Sequence, residues 1–194
     1  MAGIARTLQP VAFNEYLALE EKAQRKHELV DGILYAMAGA SERHNLVCTN
    51  VSGWFWQAAR GKGCRVYASD MKLKVDDRTS YYPDLMVVCQ EDPHEYYKEK
   101  PCVVVEVLSE STQGTDRREK LQKYLKLPSL QAYLLVDSLA KRVEGYYRKG
   151  EQWLYQDIQG EGEFEVPCLG LSLTLEAVYE GTNVPSIDNL EAPR

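Results

Sequence analysis

The sequence contains no run of about 18 apolar residues, so no membrane-spanning helix is expected. It has three histidines, His27, His44 and His94, too few for a histidine-rich metal centre, and any metal would lean on carboxylates. Its five cysteines, Cys48, Cys64, Cys89, Cys102 and Cys168, are odd in number and include no Cys-x-x-Cys pair. Neither a disulfide framework nor a zinc finger is indicated. They read as reduced, partly buried small residues of a cytoplasmic protein. The opening Met1-Ala2-Gly3-Ile4-Ala5-Arg6 lacks the charged region, apolar stretch and cleavage site of a secretory signal. There is no internal repeat and no low-complexity segment.

Positive charge is also in deficit. The 23 basic residues face 29 acidic ones, for a net charge of −6. That balance excludes a basic protein that coats nucleic acid nonspecifically. The deficit is uneven, however. Residues 151–194 hold nine acids and one base (Arg194), net −8, whereas residues 1–150 hold 20 acids and 22 bases, net +2. The acidic section is expected to lie away from any anionic substrate. What remains is ordinary: 194 residues, 44% hydrophobic and 27% charged, suit one globular domain. At this size roughly 70% of the unfolded surface is buried, enough for a core without covalent staples.

The periodicity gives the elements. Residues 12–24 have helical spacing, with Phe13, Tyr16, Leu17 and Leu19. Glu28–Met37 reads as two strands about an Asp31-Gly32 hairpin turn. Ser41 caps a helix through about Arg60. Arg65–Val75 alternates as a strand, and Tyr81–Val88 follows with Pro83 near its start. Pro101–Leu108 is nearly all apolar, as a strand buried on both faces is. Thr115–Leu127 predicts a helix stopped by Pro128, Tyr133–Asp137 another buried strand, and Lys149-Gly150 a hairpin turn before the strand Leu169–Leu175. Strand, helix and strand from 101 to 137 make a parallel crossover. The fold class is α/β, a mixed β-sheet core flanked by helices, with an N-terminal helix and hairpin and C-terminal β additions.

Glu106 does not belong in Val103-Val104-Val105-Glu106-Val107-Leu108. A carboxylate in a buried strand is costly unless it is paired, protonated or bound to a cation. Asp84, after Pro83 and before Leu85-Met86-Val87-Val88, is a second carboxylate on the preceding strand. If the two strands are neighbours, the carboxylates converge into a site for Mg²⁺ or Mn²⁺, and the cation relieves their repulsion. Alternatively, Glu106 pairs with a base across the sheet and Asp84 is a strand-start aspartate. The helix after Glu106 carries Arg117, Arg118, Lys120, Lys123 and Lys126. Lys120 follows Asp116 by one turn, which reads either as a fixed positive charge at the site or as an exposed ion pair.

Taken together, Glu28-Leu-Val-Asp-Gly-Ile, His44, Tyr82-Pro-Asp-Leu, Val105-Glu-Val-Leu-Ser-Glu-Ser-Thr, Asp116…Lys120…Tyr124 and Tyr133-Leu-Leu-Val-Asp137 resemble the PD-(D/E)XK nuclease superfamily. Within it they are similar to the bacterial Uma-two family of restriction-endonuclease-like proteins, from about residue 10 to about 180. The resemblance implies one restriction-endonuclease-like domain over 1–194, with a core at about 41–138, a β extension at about 142–180 and a tail at 181–194. It implies Mg²⁺- or Mn²⁺-dependent hydrolysis of nucleic acid, DNA foremost, by a cytoplasmic protein that pairs as a homodimer. Asp84 and Glu106 would be metal ligands, with Glu28 a further one and the Val107 carbonyl completing the set. The superfamily's usual lysine falls two residues after the glutamate, where this chain has Leu108, and Lys120 would be its substitute. His44 would contact phosphate or shuttle a proton, or else face the core. Gln113 and Asp116 would orient the site or cap the helix. Tyr81, Tyr82, Tyr96 and Tyr97 read as packing residues more readily than as base-stacking ones. Two other readings use the same residues: a metal-dependent hydrolase of a small phosphorylated substrate, and an inactive nuclease-fold protein that binds nucleic acid or a protein partner.

Overall fold

The computed structural model describes residues 9–187. Helix α1 (Phe13–Glu20) precedes a hairpin of β1 (His27–Val30) and β2 (Ile33–Ala36). The hairpin turn is Asp31-Gly32, both with positive φ (48° and 87°), as a tight turn between twisted strands requires. Gly32 is obligatory for a second reason: a Cβ there would stand 2.5 Å from Cβ of Pro10. Helix α2 (Glu42–Ala59) starts at Ser41, whose hydroxyl accepts the His44 amide at 3.3 Å. Its buried face is Val47, Val51, Phe55 and Ala59.

The alternation of Arg65–Val75 predicts one strand, but the chain forms two, β3 (Arg65–Ala68) and β4 (Lys72–Asp76), in different sheets. Ser69 breaks them with a φ of 36°. Tyr81–Val88 divides likewise. The strand β5 (Thr79–Tyr81) lies in the sheet of β4, and β6 (Leu85–Val88) lies in the sheet of β3. The crossing segment is Tyr82-Pro83-Asp84, where the proline cannot donate to a ladder. The polar stretch 91–100 contributes a short strand, β7 (Tyr97–Lys98), parallel to β4.

β8 (Val103–Leu108) is buried at every position, as its composition predicts. After it come α3 (Gln113–Thr115), a π-helical turn (Asp116–Lys120) and α4 (Leu121–Tyr124), where one regular helix is expected from the sequence. β9 (Ala132–Asp137) returns parallel to β8. β10 (Arg142–Lys149) and β11 (Gln152–Gln159) form the expected hairpin. A second hairpin, β12 (Glu163–Val166) and β13 (Leu171–Thr174), leads into α5 (Leu175–Tyr179). Only the later strand of this hairpin is anticipated from the sequence.

The strands make a five-stranded sheet ordered β2-β1-β5-β4-β7 and a six-stranded sheet ordered β11-β10-β9-β8-β6-β3. The larger sheet is mixed: β8 and β9 are parallel, and its other neighbours run antiparallel. One face of it packs Leu85, Val87, Val103, Val105 and Val107 against α2 and the C-terminal elements. The other packs Met86, Val104 and Leu108 with Tyr81, Tyr124 and Tyr133. By the two-residue period of a strand, Glu106 falls on this second face with Val104 and Leu108. Among the described residues no helix is long and apolar enough to cross a membrane.

Candidate active site

The break between β5 and β6 creates the site. In the β6–β8 ladder Leu85 stands opposite Val105. One further residue along, Asp84 would face Glu106. Because β6 begins only at Leu85, the Val107 amide lies beyond its end, and Asp84 Oδ2 accepts that N–H at 2.7 Å. The same oxygen meets His44 Nε2, from the first turn of α2, at 3.2 Å. Burial alone would favour neutral His44. The hydrogen bond and charge of Asp84 outweigh it and hold the imidazole above its ordinary range.

Glu106 is 3% exposed. Its Oε1 accepts from the Lys120 ammonium at 3.1 Å and from the Tyr124 hydroxyl at 2.8 Å. Lys120 ends the π-helical turn, four residues after Asp116 and four before Tyr124 of α4. Its Nζ lies 3.2 Å from Glu28 Oε1 and 3.3 Å from Asp116 Oδ1. Three carboxylates thus surround three ammonium protons. The Asp116 contact is a charge contact only, because its Oδ1 has no hydrogen bond and is shielded from solvent. Glu28, on β1 of the smaller sheet, also accepts the Tyr82 amide at 3.3 Å.

Lys120 is 6% exposed, which rules out the exposed ion-pair reading. The carboxylates around it hold its ammonium protonated despite burial. Burial is the main cause that raises Glu106 well above the carboxylate range. Lys120 opposes that, and the charges of Asp116, Asp84 and Glu28 add to it. Asp116 is raised for the same leading reason, with Lys120 again opposing. The cluster therefore holds four carboxylates against one lysine, with His44 at its edge. Access comes from one side. The Asp84, Glu28 and His44 side chains retain 19%, 16% and 13% exposure, while Glu106, Asp116 and Lys120 form the floor.

The structure thus brings together Asp84, Glu106, Lys120, Glu28, His44 and Asp116. It does not bring in Gln113, whose Oε1 accepts from Arg117 at 2.7 Å. Arg117 in turn grips Glu144 of β10 at 2.7 Å, so Gln113 belongs to a strut between helix and sheet. It makes no helix cap either, since α3 has no side-chain cap. The tyrosines largely pack: Tyr81 and Tyr82 are buried, Tyr97 lies against Phe13 and His94, and Tyr96 is exposed.

Tyr124 and Tyr81 also touch the cluster; the resemblance includes Tyr124 in its motif without a role, and Tyr81 reads as a packing residue. Tyr124 binds Glu106 from a position that reads as ordinary core spacing. Tyr81 places its ring 5.4 Å from the Lys120 ammonium and donates to Glu119 at 3.0 Å. Tyr124→Phe removes a buried donor to Glu106. It is expected to cost about 1.5–3 kcal/mol in a urea unfolding titration. An unchanged midpoint would mean that this hydroxyl does not hold Glu106.

The fold is similar to that of a solved protein. The crystal structure of a "putative nuclease belonging to DUF820" from Anabaena variabilis superposes with a TM-score of 0.72 at 18% identity. The match covers 87% of this chain and 97% of that one. At the level of sequence, the model of the Uma2 (Uma-two) family, described as "Putative restriction endonuclease", matches residues 13–177, and the chain belongs to that family. Two relatives are the uncharacterized proteins slr1290 and sll1609 of Synechocystis sp. The first is 36% identical over 173 residues, covering 86% of this chain and 90% of the relative. The second is 35% identical over 164 residues, covering 81% and 93%.

Proposed function

We propose that the chain is a divalent-metal-dependent endonuclease that hydrolyses phosphodiester bonds of nucleic acid, DNA foremost. The observation that carries this reading is a concentration of negative charge at the junction of two sheets: buried Glu106 and Asp116 with partly exposed Glu28 surround Lys120, and Asp84, paired with His44, adjoins them at the Val107 amide. Such a cluster is unfavourable without a cation, and its donors are hard oxygens of the kind that suit Mg²⁺ or Mn²⁺. Both protein contacts of Glu106 fall on Oε1, leaving Oε2 to a cation. The residues fit the ion. Asp84 and Glu106 would hold it, with Glu28 beside them. When bound, it supplies polarisation of the scissile phosphate and acidification of a bound water.

The chain's own groups do the rest. Lys120 Nζ positions the attacking water and offsets charge on the transition state. A lysine two residues after Glu106 would share its strand face, but Leu108 occupies that place in the core. Lys120 reaches the same carboxylate from the helix instead, which supports its role as substitute. Asp116 and Tyr124 orient Lys120 and Glu106. His44 steadies Asp84 through Nε2, while its Nδ1 lies 3.5 Å from Cys48 Sγ. An open groove runs from Asn45, Thr49, Ser52 and Trp56 of α2 to Ser69, whose amide donates to the Asp84 carbonyl at 3.1 Å. The lining of this groove includes none of the carboxylates or Lys120, and the groove adjoins them through the Ser69 amide on the Asp84 carbonyl. Trp56 is exposed beside it and offers a face for a base. A cytoplasmic homodimer, which would present two sites to a duplex, belongs to the same reading.

The test is a panel of supercoiled plasmid, single-stranded DNA, RNA and a phosphate monoester, each with Mg²⁺ and with chelator. Cleavage of polynucleotide that the chelator abolishes, without monoester turnover, is expected. Monoester turnover alone would establish the small-substrate hydrolase. Nucleic-acid binding without cleavage would establish the inactive descendant.

A further inference from the structure

At the other end of β8, about 13 Å from Glu106 by the rise of four strand residues, four of the five cysteines meet. The register of β3 on β6 sets Arg65 opposite Val88, so Cys64 and Cys89 flank the next position, with Cα atoms 4.0 Å apart. Cys102 enters β8 beside them, its amide donating to Val87 O at 2.7 Å. Cys168 comes from below on the short turn Pro167–Leu169, with its Cα 6.3 Å from that of Cys102. Two disulfides, Cys64–Cys89 and Cys102–Cys168, join these residues. This differs from the expectation of reduced cysteines with no disulfide framework; Cys48 alone is free among the described residues. The pairs are in contact: Cys89 Sγ lies 3.6 Å from Cys102 Sγ, and the sulfurs of Cys89, Cys102 and Cys168 all lie within 4.8 Å of one another.

We propose that, in the reduced protein, Cys64, Cys89, Cys102 and Cys168 form a tetrathiolate site for one zinc ion that staples the C-terminal hairpin to the central sheet. Three of the four sulfurs already lie together as ligands of one ion do, and Cys64, held to Cys89, has only to turn in once that bond is reduced. Tetrahedral zinc with Zn–S bonds near 2.3 Å places its sulfurs about 3.8 Å apart, close to the Cys89–Cys102 separation. Each ligand comes from a different segment, and soft thiolates in this number select zinc over Mg²⁺. Four thiolates and Zn²⁺ carry a net charge of −2. Lys62 is at hand to offset part of it, because its ammonium bonds the Leu169 carbonyl beside Cys168. The disulfides and the zinc site are alternative states of the same sulfurs. Two equivalents of a dithiol reductant convert the two disulfides to four thiols and are themselves oxidised to two disulfides. Zinc then displaces four protons to solvent.

The site is independent of the nuclease reading and is tested by metal content. Protein purified with reductant and dialysed against a weak chelator is expected to retain about one zinc per chain. Replacement by cobalt(II) is expected to give the thiolate-to-metal absorption of a tetrahedral tetrathiolate. Cys102→Ser and Cys168→Ser should lose the zinc, and Asp84→Ala should keep it. The cobalt spectrum of the wild type decides the matter even if those serine variants fail to fold. Reduced, folded protein with only trace zinc would overturn the proposal, as would a cobalt spectrum without thiolate bands. So would zinc that leaves with Asp84→Ala, which would put the ion at His44, Cys48 and Asp84.

Discussion

Asp84→Ala is expected to lower metal-dependent cleavage by at least about a thousandfold, equivalent to roughly 4 kcal/mol of transition-state stabilisation. Asp84 is the carboxylate nearest solvent that also touches β8, through the Val107 amide at 2.7 Å. The variant should fold well. It loses the hydrogen bonds to Val107 and His44, but it also removes one of four mutually repelling charges. Its metal-free melting temperature is therefore expected to stay close to that of the wild type, while the stabilisation that Mn²⁺ gives the wild type disappears. Equal activity of the two proteins, each freed of contaminating nucleases, would remove Asp84 from the mechanism.

Lys120→Ala has the larger effect on stability. It leaves Glu28, Glu106 and Asp116 buried together without their cation. Stranding buried charge in this way costs about 3–5 kcal/mol. A divalent ion supplies positive charge to the same carboxylates, so Mn²⁺ should recover part of the loss in a melting experiment. Turnover should not recover. Even at saturating Mn²⁺ the variant is expected to be slower by about 10²–10³-fold, the scale of losing a preorganised charge at a transition state. Full turnover with metal present would show that Lys120 is only a structural counterion for Glu106.

Much of this site is legible in the sequence, because a carboxylate in an apolar strand is conspicuous. Glu106 breaks a run of six otherwise apolar residues, and Asp84 opens another such run after a proline. The ladder places their strands side by side, as the succession of the two runs suggests. The sheet change at Tyr82-Pro83-Asp84 is not legible, since Tyr81–Val88 reads as one strand and nothing local records which sheet each part joins. The π-helical turn is equally silent, because Asp116 and Lys120 share a face in a regular helix too. Tyr124 hides among core-spaced aromatics, and only the fold reveals that its hydroxyl ends on Glu106. Gln113 reads as a site neighbour from its position in the chain, but Arg117 and Glu144 draw it elsewhere. The cysteines make the same point at larger scale. Spaced 25 residues apart in one disulfide and 66 in the other, they match no local metal or disulfide pattern, yet two ladders and one turn bring all four together.

In the proposed mechanism, Asp84 and Glu106 jointly hold the cation on which phosphodiester hydrolysis depends. An anomalous difference map from a crystal soaked in Mn²⁺ tests it most directly. A peak in coordinating contact with both carboxylates is expected, absent from Asp84→Ala crystals soaked in the same way. A map with no peak between Asp84 and Glu106, with Lys120 still closing the gap on Glu106, would contradict it.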